Sequence, residues 1–327
     1  MNIETISHLS GSKLAAWRNL IASAGLTAVD CAPRTVLLFD GEELVATGGR
    51  DGGLLKLIAV ASDRRGEDLT ASVLSALRRD AFAEGYTHLF LYTKPQNRHL
   101  FESLFFYPVV ESAEVLLMEN REGGLAHYLD TLPQVTPGQI GATVMNCNPF
   151  TLGHQYLIEC AAAACDRVFV FVLAEDKSDF SAADRLEMVR RGTAHLANVT
   201  VLSTGPYLIS AATFPTYFLK DRERAASAAC EVDVEIFVQH FKPRLSITRR
   251  YVGTEPTSRL TAAYNEALRA RLPQAGIEVC EIARAEQNGV PISASTARAL
   301  IQKRDVAALS GLLPATTLAF LREKEMI

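Results

Sequence analysis

The chain has 327 residues, 48% of them hydrophobic, and a formal charge of −4 from 33 basic and 37 acidic side chains. It is too apolar to be disordered and too long for one ordinary core, so two domains are expected. No dense basic cluster offsets the charge, which argues against a nucleic-acid partner. Met1–Leu14 lacks the apolar core of a signal peptide, and the longest apolar runs, such as 167–174, are of strand length; no membrane partner and a cytoplasmic location are expected.

In chain order, a helix is expected over Ser12–Ala24, stopped by Gly25. Thr35–Phe39 and Glu43–Thr47 read as strands joined through Asp40-Gly41, a pair suited to the positive φ angles of a tight hairpin turn. A third strand, Leu54–Val60, precedes a helix whose apolar set Leu69, Val73, Leu74, Leu77 and Ala81 recurs at helical spacing until Gly85. His88–Thr93 reads as a strand, Asn97–Leu104 as a short helix, and Phe106–Val110 with Glu114–Met118 as a last strand pair. Residues 121–139 carry scattered Gly and Pro and read as a linker between domains at 1–120 and 140–327.

Beyond the linker, strands alternate with helices: Gly141–Asn146, Arg167–Leu173, Val199–Leu202, Leu245–Val252 and Ile277–Ile282, with helices opening at His154 and Ala182. That alternation predicts an α/β fold with a doubly wound parallel sheet, whose ligand lies outside the carboxyl ends of the strands. The loops after Asn146, Leu173 and Val252 are therefore the places to search. Six cysteines, Cys31, Cys147, Cys160, Cys165, Cys230 and Cys280, show no Cys-x-x-Cys pair and read as reduced, mostly buried thiols. No metal site from protein side chains is expected.

Asn148-Pro149-Phe150-Thr151-Leu152-Gly153-His154 stands at a strand-to-helix turn, before a helix whose inner face is Leu157, Ile158, Ala161, Ala162 and Cys165. Pro149 fixes the backbone direction, and Gly153 removes a side chain so that a phosphate can approach free helix N–H groups. His154 can donate a ring hydrogen bond to an α-phosphate oxygen as charge builds there, and Thr151 can add a hydroxyl. A structural turn with a surface histidine is the competing reading.

This segment resembles the hallmark Thr/His-x-Gly-His of the nucleotidyltransferase superfamily, matched by Thr151-Leu152-Gly153-His154. The resemblance implies a second phosphate motif near the C-terminus, which Ile292-Ser293-Ala294-Ser295-Thr296-Ala297-Arg298 fits. Lys177 and Arg185 are expected to neutralise triphosphate charge. Gly253-Thr254-Glu255, at the end of a strand, would hold adenine or ribose, or else form a tight turn. Almost the whole chain is similar to the citrate lyase ligase family: beyond these motifs, Phe180–Val189, Gly253-Thr254-Glu255-Pro256 with Tyr264-Asn265, and Thr93-Lys94-Pro95 with Asn97 carry the likeness. The family implies a nucleotidyltransferase domain behind a front domain like GNAT-type acetyltransferases, a mixed sheet with helices on its faces. It also implies ATP, acetate, and the prosthetic thiol on the acyl-carrier subunit of citrate lyase, and a Mg²⁺ ion is expected to offset the triphosphate charge.

In the front domain, Phe101 and Phe105-Phe106 stand where that acetyltransferase family has an aromatic and a Gly-Phe pair, without a general-acid tyrosine. The loop Asp63-Arg64-Arg65-Gly66-Glu67-Asp68 carries carboxylates that oppose a phosphate at the helix N-terminus. Arg64, Arg65 and Asn97 are assigned to the carrier's prosthetic arm, while His88, Tyr92, His99 and Tyr107 read as packing or surface residues that could assist a thiol. The rivals to the ligase reading are an adenylyltransferase acting on phosphopantetheine or nicotinamide mononucleotide, and a nucleotide-binding module without turnover.

Overall fold

The computed structural model of the protein describes residues 1–27, 31–174, 178–208, 222–255 and 259–327. The chain divides into two compact units: Met1–His127 with Phe214–Glu235, and Tyr128–Thr213 with Ile236–Ile327.

The first unit is built on a seven-stranded mixed sheet in the order β1-β2-β3-β4-β5-β7-β6. Its strands are β1 (Asn2–Ile6), β2 (Arg34–Asp40), β3 (Glu43–Asp51), β4 (Leu54–Val60), β5 (Phe90–Thr93), β6 (Tyr107–Glu111) and β7 (Leu116–Glu119), with helices α1 (Gly11–Ser23), α2 (Leu69–Ala83) and α3 (Arg98–Glu102) between them. Alternation along β2 sorts the two faces. Leu37 packs with Trp17, Leu20 and Ile21 of α1, whereas Val36 and Leu38 pack with Val73, Leu74 and Leu77 of α2. The hairpin turn falls one residue later than expected, since Asp40 pairs with Glu43 and Gly41 takes the positive φ of +62°. β1 was not anticipated: it is an edge strand with mostly exposed residues and so carries no apolar alternation.

β4 and β5 pair in parallel at Leu54↔Phe90 and Leu55↔Leu91. Farther along, Ile58–Val60 and Leu91–Thr93 line a cavity of about 470 Å³.

Residues 121–139, read as a linker, contain helix α4 (Gly124–Asp130). Its last turn and the chain just after it are held by Arg244, whose guanidinium donates to the carbonyls of Leu129, Leu132 and Pro133.

The second unit carries a parallel five-stranded sheet in the order β10-β9-β8-β11-β12. In chain order the remaining elements are β8 (Ile140–Met145), α5 (Leu152–Ala164), β9 (Arg167–Val172), α6 (Ala182–Thr193), β10 (Val199–Ser203), α7 (Arg222–Ile236), which belongs to the first unit except for its last residue, then α8 (Lys242–Leu245), β11 (Arg249–Gly253), α9 (Arg259–Arg271), β12 (Glu278–Ile282), the hairpin β13 (Glu286–Gln287) and β14 (Val290–Pro291), α10 (Ala294–Gln302), α11 (Val306–Leu309) and α12 (Ala315–Glu323). The fourth strand was expected from Leu245. Instead Lys242–Leu245 closes a helix, Ser246 is left-handed at φ +53°, and β11 begins at Arg249. The strand order reverses between β8 and β11, the kind of switch point where such sheets bind ligands. Among the described residues no helix is long and apolar enough to cross a membrane.

Candidate active site

At the carboxyl ends of β8, β11 and β12 lies a cleft of about 400 Å³. Of the residues singled out from the sequence, Thr151, Gly153, His154, Gly253, Glu255, Ile292, Ser293 and Ser295 line it. Three segments far apart in sequence thus converge where the sheet's topology places a ligand.

Thr151 caps helix α5. Its hydroxyl accepts from the His154 backbone N–H at 3.4 Å, and its own N–H donates to His154 Nδ1 at 3.1 Å. This reciprocal arrangement is a capping box with histidine in the place usually held by Glu or Gln. An Nδ1 that accepts carries no proton, so the neutral ring holds its proton on Nε2. Burial of the ring, with the Arg284 charge adding to it, pushes the His154 pKa down to about 4, so at neutral pH the residue is an uncharged donor. An added Cβ at Gly153 would stand 3.6 Å from Thr151 Oγ1 and 3.7 Å from Ile292, so this glycine keeps the approach between the two motifs narrow and free of side chain.

The second motif opens helix α10. Ser293 caps it, accepting from the Ser295 N–H at 3.2 Å, and both serines face the cleft. Arg298 ties the motifs together, donating to the Asn148 carbonyl at 2.6 Å and pairing with Asp179 at 3.0 Å. Asn148 in turn donates to Asp179 at 2.9 Å and accepts from the Phe180 N–H at 3.2 Å. Asn148 and Arg298 therefore brace the loops rather than line the cleft, and neither Pro149 nor Thr296 is among the lining residues.

Two further residues occupy other places than expected. Phe150 is fully buried, with its ring stacked at 6.0 Å from that of His154; it supports the histidine from the core. Arg185, expected at the triphosphate, is also fully buried. Its guanidinium donates to the carbonyls of Asn146, Leu173 and Phe180 at 2.9, 2.8 and 3.2 Å. The α6 face on which it sits points into the sheet, so its charge fastens the loops after β8 and β9. Lys177 lies outside the described residues, as does Pro256.

Thr254 stands behind the cleft, its hydroxyl and carbonyl accepting from the backbone N–H and Nε of Arg284 at 3.2 and 2.9 Å. Arg284 also pairs with Glu255 and lines the cleft. Sequence reasoning missed it. The signal was available: Arg284 follows the end of β12, and the rule that sent the search to three other strand ends applies there as well. Arg250, in β11, is a second cleft-lining cation that the sequence reading passed over.

Residues 140–321 match the family model described as citrate lyase ligase C-terminal domain. The citrate pro-3S-lyase ligase of Klebsiella pneumoniae is 41% identical over 289 residues, 86% of this chain and 84% of that one. The chain belongs to the citrate lyase ligase family. A phosphopantetheine adenylyltransferase of Symbiobacterium thermophilum is 41% identical over 64 residues, 19% of this chain and 40% of its own. Among solved structures, Escherichia coli ElaA covers 37% of this chain and 99% of its own, at 18% identity and a TM-score of 0.33.

In this citrate lyase ligase family member, the first unit's cavity of about 470 Å³ brings together Arg64, Arg65 and Asn97 with Tyr92, Thr93 and Phe101. Asn97 donates to Thr93 Oγ1 at 2.9 Å. Arg64 is engaged with Glu67 at 2.7 Å and Asp40 at 3.0 Å, so it offsets the loop's carboxylates and leaves Arg65 the more accessible cation. His88 pairs with Glu119 at 2.6 Å, and the His99 side chain is 94% exposed.

Proposed function

We propose that this chain adenylates acetate with ATP and passes the acetyl group to the prosthetic thiol of the citrate lyase acyl carrier. An acetate oxygen attacks the α-phosphorus as the bond to the bridging oxygen of pyrophosphate breaks, and the electron pair leaves with pyrophosphate. No enzyme nucleophile is needed; positioning and charge stabilisation suffice. The thiolate then attacks the acetyl carbonyl, forming the thioester and releasing AMP.

The observation that carries this reading is the convergence of two helix N-termini, α5 and α10, with the Nε2–H of His154 and Arg284 on one cleft at the switch point. Helix N-termini and fixed donors suit an anionic group whose charge grows during transfer. Gly253 and Glu255 border the same cleft and are assigned to the nucleoside, and Lys177 to the leaving pyrophosphate. Among the described residues no three His, Cys, Asp or Glu side chains converge as metal ligands, so Mg²⁺ is assigned to the incoming triphosphate, whose charge it offsets. The first unit's cavity, with Arg65 and Asn97, is assigned to the carrier's arm. A cytoplasmic site of action is part of this proposal.

The test is exchange of labelled pyrophosphate into ATP by the full chain, with and without acetate, followed by acetylation of thiol-form citrate lyase. Acetate-dependent exchange and AMP formation matched to carrier acetylation are expected. Exchange supported by phosphopantetheine but not by acetate would replace this reading with the adenylyltransferase one.

A further inference from the structure

The adenylation reading calls for a seat for the acid, and both helix N-termini, His154 and Arg284 are already assigned to the phosphates in it. Arg250 stands apart from them. It is the second residue of β11, 2% exposed, and borders the cleft. Its guanidinium lies 4.5 Å from the centre of the Phe237 ring, and its Nε and Nη1 make no hydrogen bond among the described residues.

Such a group is costly to bury. Guanidinium donors removed from water and left without acceptors lose their hydration, and a cation–π contact returns only part of that. Buried polar atoms in folded proteins are otherwise almost always paired, so donors left open beside a cleft point to an acceptor that arrives with the ligand.

Strand alternation says which side that ligand takes. Tyr251, next in β11, faces α5: its hydroxyl meets Cys165 at 3.4 Å. Arg250 therefore faces the opposite side of the sheet, level with Ala142 of β8, and Val144 and Val252 follow on that same side along the two strands. The cleft reaches both sides around the strand ends, with Thr151 and His154 on one and Arg250, Val144 and Val252 on the other.

We propose, on the adenylation reading, that Arg250 binds the carboxylate of the acid substrate, with Val144 and Val252 beside its alkyl part. A planar guanidinium matches a carboxylate through two parallel N–H···O bonds. The anion it holds is then distinct from the phosphates, and an acid on one side of the strand ends meets an α-phosphate on the other. The short valine-lined floor selects a small alkyl group.

Acetate-dependent pyrophosphate exchange is measured in full-length wild type, Arg250→Met and Arg250→Lys, together with thermal melts of the ligand-free proteins. Arg250→Met is expected to raise the KM for acetate on the order of a hundredfold, with the KM for ATP little changed. Arg250→Lys, which keeps charge without the fork, should raise it by about tenfold. The ligand-free Arg250→Met protein should melt no lower than wild type, because it loses two buried guanidinium nitrogens that have no acceptor among the described residues. An unchanged KM for acetate in either variant overturns the proposal, and so does a parallel rise for ATP, which would make Arg250 a phosphate ligand. An Arg250→Met protein that fails to fold leaves the Arg250→Lys comparison decisive. Wild type showing no acetate-dependent exchange would bring down the adenylation reading itself, and this proposal with it.

Discussion

At the scale of single residues, His154 shows how a helix cap can set up a catalytic donor. The Thr151 N–H fixes Nδ1 as an acceptor, which commits the ring to the Nε2–H tautomer, and burial with the nearby Arg284 charge holds the pKa at about 4. In the free enzyme, ring nitrogen shifts should therefore report a neutral Nε2–H imidazole at neutral pH that titrates near pH 4; a midpoint at the ordinary 6.5 or an Nδ1–H tautomer would refute the assignment. The sign for stability follows. The folded value lies below the unfolded one, so this residue contributes no pH dependence above 6.5, and stability is lost as pH falls from there towards 4, where the unfolded chain takes up the proton first. His154→Ala should slow adenylation by about a hundredfold to a thousandfold while ATP binding weakens far less, since the donor meets charge that grows in the transition state. Equal losses in affinity and turnover would mark it as a ground-state phosphate ligand.

At the scale of elements, the motif loop is set from behind by α6. An added Cβ at Gly192 would fall well inside contact distance of the Phe150 ring, the same ring that stacks on His154. Gly192→Ala should thus cost about 1–3 kcal/mol in denaturant melts and also lower the turnover number for exchange, because the displaced ring carries the histidine with it. A loss of stability with turnover intact would show that Phe150 supports only the core. This coupling could not be read from sequence, although β8 and the start of α5 could, because the apolar run and the turn chemistry that define them are local. What escaped was whatever depends on register and face. Arg250 stands between Arg249 and Tyr251 and looks like an exposed strand residue, yet it is buried with its guanidinium over the Phe237 ring. Arg185, expected at the triphosphate, is fully buried because α6 turns that face inward. The edge strand β1 escaped because neither of its faces is consistently covered.

At the scale of the molecule, two cavities, one in each unit, match the two halves of the proposed reaction: about 400 Å³ at the nucleotide motifs and about 470 Å³ where β4 and β5 part. In the proposed reaction an acetyl-adenylate that met only water would waste ATP, so the proposal has the carrier's thiol presented by the same protein. If the first unit seats the arm, its cation should matter for the carrier and not for ATP. Arg64 is a poor probe, since removing it would release Glu67 and Asp40 and disturb the loop. Arg65 borders the cavity and is exposed, so Arg65→Glu changes the charge an arm phosphate would meet without breaking an ion pair among the described residues. The variant should raise the KM for thiol-form citrate lyase while acetate-dependent pyrophosphate exchange keeps its wild-type rate. The difference from wild type should shrink as salt increases, because the Debye length falls from about 10 Å at 0.1 M to about 3 Å at 1 M. Carrier kinetics for both proteins across that salt range decide the matter: an unchanged KM throughout would remove Arg65 from the arm's site, and a matching loss in pyrophosphate exchange would place its effect in the adenylation step instead.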